Sequence, residues 1–176
     1  MERSSRRRFL KNTALGTLLL AGARLLPASV VPDGVQQNVP DDLLYFSRHE
    51  YRLIRALAAR LVGEVPPGSS GIDVALRADG YLSGADVEVQ EQFHTLLTII
   101  NSPLFAFLFD FRFSSFLDMN AADQDSYLED WMTSSLEFRR TGYQALKRTC
   151  LSMFYTDTRS FADIGYHGMF LPGGQQ

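Results

Sequence analysis

Cysteine occurs once in the 176-residue chain, at Cys150, so no disulfide can form within it and a zinc centre built from several thiolates is excluded. Histidine is nearly as scarce. His49, His94 and His167 lie far apart in sequence, and none stands at metal-ligand spacing from another. There is no Gly-x-Gly-x-x-Gly run after a strand, no Walker loop and no Gly-x-Ser-x-Gly elbow. Those gaps remove the usual cradle for nucleotide phosphates and the usual serine nucleophile. Length sets a further limit: one domain is the ceiling, with little room for a dinucleotide-binding unit and a substrate domain together.

What is present is unevenly placed. The net charge is −3, yet residues 1–24 carry Arg3, Arg6, Arg7, Arg8, Lys11 and Arg24 against Glu2 alone, a local +5 that leaves −8 on the rest. An acidic body is a poor match to phosphate, which is held by clustered Lys and Arg, so no nucleic acid is expected as a partner. The basic segment reads Ser5-Arg6-Arg7-Arg8-Phe9-Leu10-Lys11 and runs into small residues and leucines up to Ala23. It resembles a twin-arginine export signal, with Ser5, Arg6, Arg7, Phe9, Leu10 and Lys11 at the positions that signal uses. A positive start and a short apolar run fit a cleavable leader. The uncharged stretch from Asn12 to Ala23 falls short of the roughly 20 residues of a spanning helix. Residues 1–28 are thus read as a signal, and Ala21-Gly22-Ala23 and Leu26-Pro27-Ala28 are the two candidate cleavage sites. Such a signal implies export of an already folded protein to the periplasm, or to the periplasmic face of the inner membrane.

Residues 29–46 read as a linker, 47–170 as a helical domain and 171–176 as a tail. The domain is expected to be all-α, a single small multi-helix bundle. Ser47-Arg48-His49-Glu50 has the form of a capping box, and Ile54, Leu57, Ala58, Leu61 and Val62 follow at helical spacing, with Pro66-Pro67-Gly68 as the expected stop. Further helices are expected from Ile72 to Leu82, from Val87 to Ile100, after a Ser102 cap with Pro103 at the first turn, after Asn120, and from Leu136 onward. The run Phe105 to Phe113 alternates aromatic residues at period two, a strand signature, but a lone strand would leave its backbone groups unpaired. Helix is therefore preferred, and an apolar surface on nearly every side makes it either central or covered by something else. Cys150 sits on an apolar stripe with Leu146 and Phe154 and reads as core. Asp123, Asp125, Glu129 and Asp130 read as solvated helix charges, and His167 as a loop histidine able to reach a partner.

Several pieces of the second half form an ordered set: Arg112-Phe113-Ser114, Tyr127 to Trp131, Arg139-Arg140, Ala145-Leu146-Lys147, Phe154-Tyr155 and Ile164 to Gly168. Over about residues 47–170 this set resembles the gluconate 2-dehydrogenase subunit 3 family. The resemblance implies a small, non-catalytic subunit without cofactor of its own, which binds a large FAD-dependent dehydrogenase of the glucose-methanol-choline type. It implies that this subunit helps the dehydrogenase to mature and carries it through the twin-arginine translocase. A cytochrome subunit with haem c belongs to some such assemblies. Phe113, Phe116, Tyr155, Phe161, Tyr166 and His167 are the expected docking residues, since aromatic side chains with polar tips are favoured at interfaces. Two other readings stand beside this one: an autonomous periplasmic binding protein for an apolar ligand or lipid, and a cofactor-free enzyme built around His167 and a carboxylate.

Overall fold

The structure is a computed structural model that describes residues 39–166; the signal motif from Ser5 to Lys11, residues 29–38 of the expected linker, His167 and the tail lie outside them. Seven helices and two 3-10 turns make up the described residues, with no strand among them: an all-α fold. In chain order the helices are α1 (Arg48–Leu61), α2 (Val74–Ser83), α3 (Val87–Ile100), α4 (Pro103–Asp110), α5 (Ala121–Met132), α6 (Glu137–Tyr155) and α7 (Thr158–Phe161). The 3-10 turns are Pro67–Ser69 and Phe116–Asp118.

Short polar side chains start the helices where local sequence calls for them. Ser47 accepts from the Glu50 N–H and the Glu50 carboxylate accepts from the Ser47 N–H, a complete capping box on α1. Asp73, Ser102 and Asn120 cap α2, α4 and α5 in the same manner, each satisfying a backbone donor that the first turn leaves free. The end of α1 departs from expectation. It stops at Leu61, and the chain reverses at Gly63, whose φ of +80° suits glycine alone. Pro66 and Pro67 thus begin the next turn rather than ending the helix.

The core gathers Tyr51, Leu53, Ile54 and Leu57 of α1, Ala75, Ala78 and Leu82 of α2, Leu97 and Ile100 of α3, Tyr127 and Trp131 of α5, and Leu146 of α6. Helix α1 packs against α2 and α6, and α6 packs in turn against α5. Gly142 lets α6 approach both α3 and α5: a Cβ there would stand 2.7 Å from the Leu96 side chain and 3.1 Å from the Trp131 ring. A smaller cluster unites Ala58, Val74, Cys150 and Phe154. Burial pushes the Cys150 thiol up to about 12, so it stays protonated and acts as a small apolar group.

Residues 39–46 are not linker. Val39, Leu43 and Tyr45 pack on the core and Phe46 is buried within it. One carboxylate holds this stretch: buried Asp79 of α2 accepts from the N–H groups of Leu44 at 2.7 Å, Tyr45 at 2.9 Å and Phe46 at 2.6 Å. Charge-assisted bonds to backbone donors are among the stronger ones, and here they satisfy donors that no regular secondary structure pairs.

Candidate docking surface

Helix α4 has the sequence Pro-Leu-Phe-Ala-Phe-Leu-Phe-Asp, and of its eight residues only Ala106 is buried. It leaves α3 at 64° across Asn101-Ser102. That corner is braced by Asn101, whose carbonyl oxygen accepts from the Leu117 N–H at 3.1 Å and whose amide nitrogen lies 2.8 Å from His49 Nε2. One side of α4 leads into the core through rings: Phe105 meets Trp131 and stands edge-on to Phe138 at 5.6 Å, and Phe109 lies 4.5 Å from Phe105. The other side faces solvent. Phe107 contacts Phe113 at 4.7 Å and Phe111 at 6.3 Å, forming a ridge of three phenylalanines with Leu104 and Leu108 also exposed on the helix.

Polar anchors explain why this ridge points outward. Asp110, the last residue of α4, receives two parallel bonds from the Arg139 guanidinium, at 3.1 and 2.8 Å. The Arg139 side chain is buried and that of Asp110 nearly so, and Arg139 also lies over the Trp131 and Phe109 rings. Burial pushes the Asp110 carboxyl up, while the Arg139 charge and hydrogen bonds pull it the other way. Two residues on, Arg112 donates to Asp130 at 3.0 Å and to Ser126 at 2.9 Å, tying the chain to α5. With Asp110 and Arg112 held inward, alternation turns Phe111 and Phe113 out, 78% and 81% exposed. Phe111 adopts φ 54°, the one non-glycine residue with positive φ among the described residues, and its turn lets the Arg112 N–H reach the Ala106 carbonyl at 3.2 Å. A phenylalanine there stores strain of about 1 kcal/mol.

The period-two pattern thus contains two structures. Residues up to Asp110 are helical, as expected, but the helix expected to continue to Phe113 ends at the left-handed Phe111, and beyond it the alternation of inward and outward side chains is set by that turn and by the ion pairs of Asp110 and Arg112 rather than by a strand.

Beneath the ridge the polar groups are incompletely paired. Tyr127 Oη, Trp131 Nε1 and Arg139 Nε are buried with no hydrogen-bond partner, and burial pushes the Tyr127 hydroxyl up to about 12. The Tyr127 hydroxyl therefore stays a donor at neutral pH.

The expected docking residues do not form one surface. Phe113 belongs to the ridge. Phe116 does not: its ring is fully buried and packs 6.2 Å from Tyr127, because the 3-10 turn beyond Phe113 folds back onto α1. It is a core residue, and its expected place at the surface is corrected. Tyr155 and Tyr166 are exposed and Phe161 is half-buried; the last two meet edge-on at 4.9 Å near the end of α7. No ring contact among the described residues links this second group to Phe113. Leu104, Phe107, Leu108 and Phe111 complete the ridge and were not among the expected residues.

Comparison with family models, with curated proteins and with solved structures finds no match to the chain.

Proposed function

We propose that this chain is the signal-bearing, non-catalytic small subunit of a larger FAD-dependent dehydrogenase, to which it docks through the α4 ridge and which it accompanies through the twin-arginine translocase to the periplasm. The observation that carries the reading is the exposed ridge itself. Phe111 and Phe113 leave about four-fifths of their rings in water, which at about 200 Å² per ring is roughly 300 Å² of apolar surface from two residues. With Leu104, Phe107 and Leu108 beside them, these rings reach the size of the largest apolar patch on a typical monomer, about 300–600 Å², which is often functional. Covering it contributes several kcal/mol at ~25 cal/mol per Å², enough to offset part of the ordering cost of association. The Ser-Arg-Arg-x-Phe-Leu-Lys sequence supports the second half of the reading, since a signal for folded cargo suits a subunit that binds its partner before export.

In this reading the chain's own groups do positioning. Asp110, Arg112 and Arg139 hold the ridge in its docking geometry, and FAD belongs to the partner, with haem c in a third subunit where one is present. The test is deletion of residues 1–28, co-expression with a candidate flavoprotein dehydrogenase, and assay of both chains in cytoplasmic and periplasmic fractions. Retention of both in the cytoplasm as a complex is expected; a flavoprotein that reaches the periplasm unaided overturns the carrier role.

A second reading, a binding protein for an apolar ligand or lipid, draws on a groove of about 360 Å³ lined by Ala58, Val62, Val65, Ile72, Val74 and Phe154, with Arg55, Asp73, Ser69 and Ser70 also on its wall. Native mass spectrometry distinguishes the two: a retained lipid on the purified chain favours this one.

A further inference from the structure

On another part of the molecule, α2 and α6 border an open groove of about 730 Å³ lined by Arg77, Tyr81, Arg148, Thr149, Ser152, Met153 and Thr156. Its chemistry is unlike that of the body around it. Residues 39–166 hold 11 basic and 18 acidic side chains, yet no carboxylate lines this groove.

Arg77 is fixed in place. It donates from Nε to the Met153 carbonyl at 2.8 Å, from Nη1 to Asp157 at 3.1 Å and from Nη2 to Thr156 Oγ1 at 3.1 Å. Three of the five guanidinium donors are then used and two remain. Asp157 does not cancel its charge, because the same carboxylate also takes the Arg159 guanidinium at 2.9 and 2.8 Å. Two cations share one anion. Arg148 is exposed and makes no ion pair among the described residues. One helical turn separates Arg148 from Ser152, which puts both on the groove face of α6. Tyr81 stands one turn from Arg77 on α2 and contributes an exposed ring and hydroxyl at the rim.

We propose that this groove binds a soluble phosphate monoester, with the phosphoryl group between Arg77 and Arg148. The spare Arg77 donors, the Arg148 fork and the Ser152 and Thr149 hydroxyls supply more donors than a single carboxylate can accept, and they suit the three free oxygens of a phosphoryl group. The groove is several times larger than that group, so the remainder of the ligand lies toward Tyr81 and Met153, where a ring and a thioether offer apolar contact. The site is separate from the α4 ridge and does not rest on its role.

The full-length chain is titrated with inorganic phosphate and with phenyl phosphate at fixed ionic strength, chloride serving as the control, while amide resonances are followed by NMR. Saturable shifts confined to Thr149–Met153 and to Arg77–Tyr81 are expected, with phenyl phosphate the tighter probe. Arg148→Gln should weaken binding of both probes about tenfold, the effect of losing a charge-assisted contact, and Ser152→Ala should weaken it less. Arg140→Gln, another exposed arginine of α6, should leave it unchanged. Equal shifts with chloride, or equal losses in the Arg148 and Arg140 variants, overturn the assignment.

Discussion

Helices α1 and α4 begin alike and are held in opposite ways. Each starts on a serine that accepts from the N–H three residues on, Ser47 at 3.2 Å and Ser102 at 3.3 Å. Helix α1 then buries five of its 14 residues, with Leu53, Ile54 and Leu57 at the centre of the core. Helix α4 buries one of eight. A helix of eight residues has no stability of its own in water, so α4 persists because its ends are fastened: by the Ser102 cap before it, and by Asp110 to Arg139 and Arg112 to Asp130 after it. Phe105 and Ala106 pack on the core, and fastening by the ends leaves the opposite side free. In α1 the apolar side chains stabilise the fold, and on the outer side of α4 they are available to something outside it.

The most direct way to break this comparison is to cut the fastening. Asp110→Ala leaves the buried Arg139 charge without its partner, and loss of one member of such a pair costs about 3–5 kcal/mol. Urea unfolding should register that loss, and hydrogen exchange should show α4 amides losing protection while α1 amides keep theirs relative to the new global stability. Equal loss across both helices would mean that α4 is held by its sides after all.

Next in size is the same substitution made in both helices. Leu57 is fully buried and Leu108 is 49% exposed. Leu57→Ala should cost about 3 kcal/mol through lost burial and the cavity left behind, whereas Leu108→Ala should change stability by no more than about 0.5 kcal/mol. The midpoints of two urea curves decide it.

How much of this was legible in the sequence follows the distance over which each feature is encoded. The Ser47, Ser102 and Asn120 caps and the Val87–Ile100 helix depend on residues three or four apart, and local pattern is enough to find them. The all-α class follows from the same spacing. Residues 39–46 are misread as linker because their acceptor, Asp79, lies 33 to 35 residues downstream. Phe116 is misread as surface because what covers it is α1, far earlier in the chain. The ridge is the intermediate case. Its aromatic alternation is plain, but which rings face outward depends on Asp110 finding Arg139 across 29 residues, and no local pattern announces that pairing. A charged residue inside an aromatic run is the available signal, since burial of its neighbours demands a counter-charge.

Acid sharpens the comparison further, because two of the carboxylates, Asp157 and Asp110, are shifted with opposite sign. The Arg159 side chain and N–H, aided by Arg77, hold the Asp157 carboxyl well below the usual carboxylate range. Its contribution is present above the unfolded value near ~4 and is lost as pH falls through the depressed folded value. Burial pushes Asp110 up against the pull of its Arg139 pair, so ionising it costs more in the folded chain than in the unfolded one: the shift lowers stability as pH rises through the folded value, while the ion pair, once formed, still holds α4. Asp157→Asn should therefore flatten the acid limb of the stability profile, and Asp110→Asn should steepen it. Urea midpoints between about pH 3 and 7 test both, and slopes that change in the same direction would contradict the assignment.

The smallest expected change in stability carries the most information about the ridge. Phe111→Gly removes a ring that is 78% exposed and relieves a side chain held at φ 54°. Relief of left-handed strain favours the variant by about 1 kcal/mol, while the extra freedom of glycine in the unfolded chain opposes it by about 0.5–1 kcal/mol. The two nearly cancel, and the urea midpoint should stay within about 0.5 kcal/mol of the parent. Association should not stay put. If the ridge is the docking surface, capture of the flavoprotein partner falls with Phe111→Gly and falls again with Phe113→Ser added, although neither substitution touches the core. A variant that loses stability but keeps its partner would place Phe111 with the side chains of α1, and the distinction between the two helices would fail at its most exposed residue.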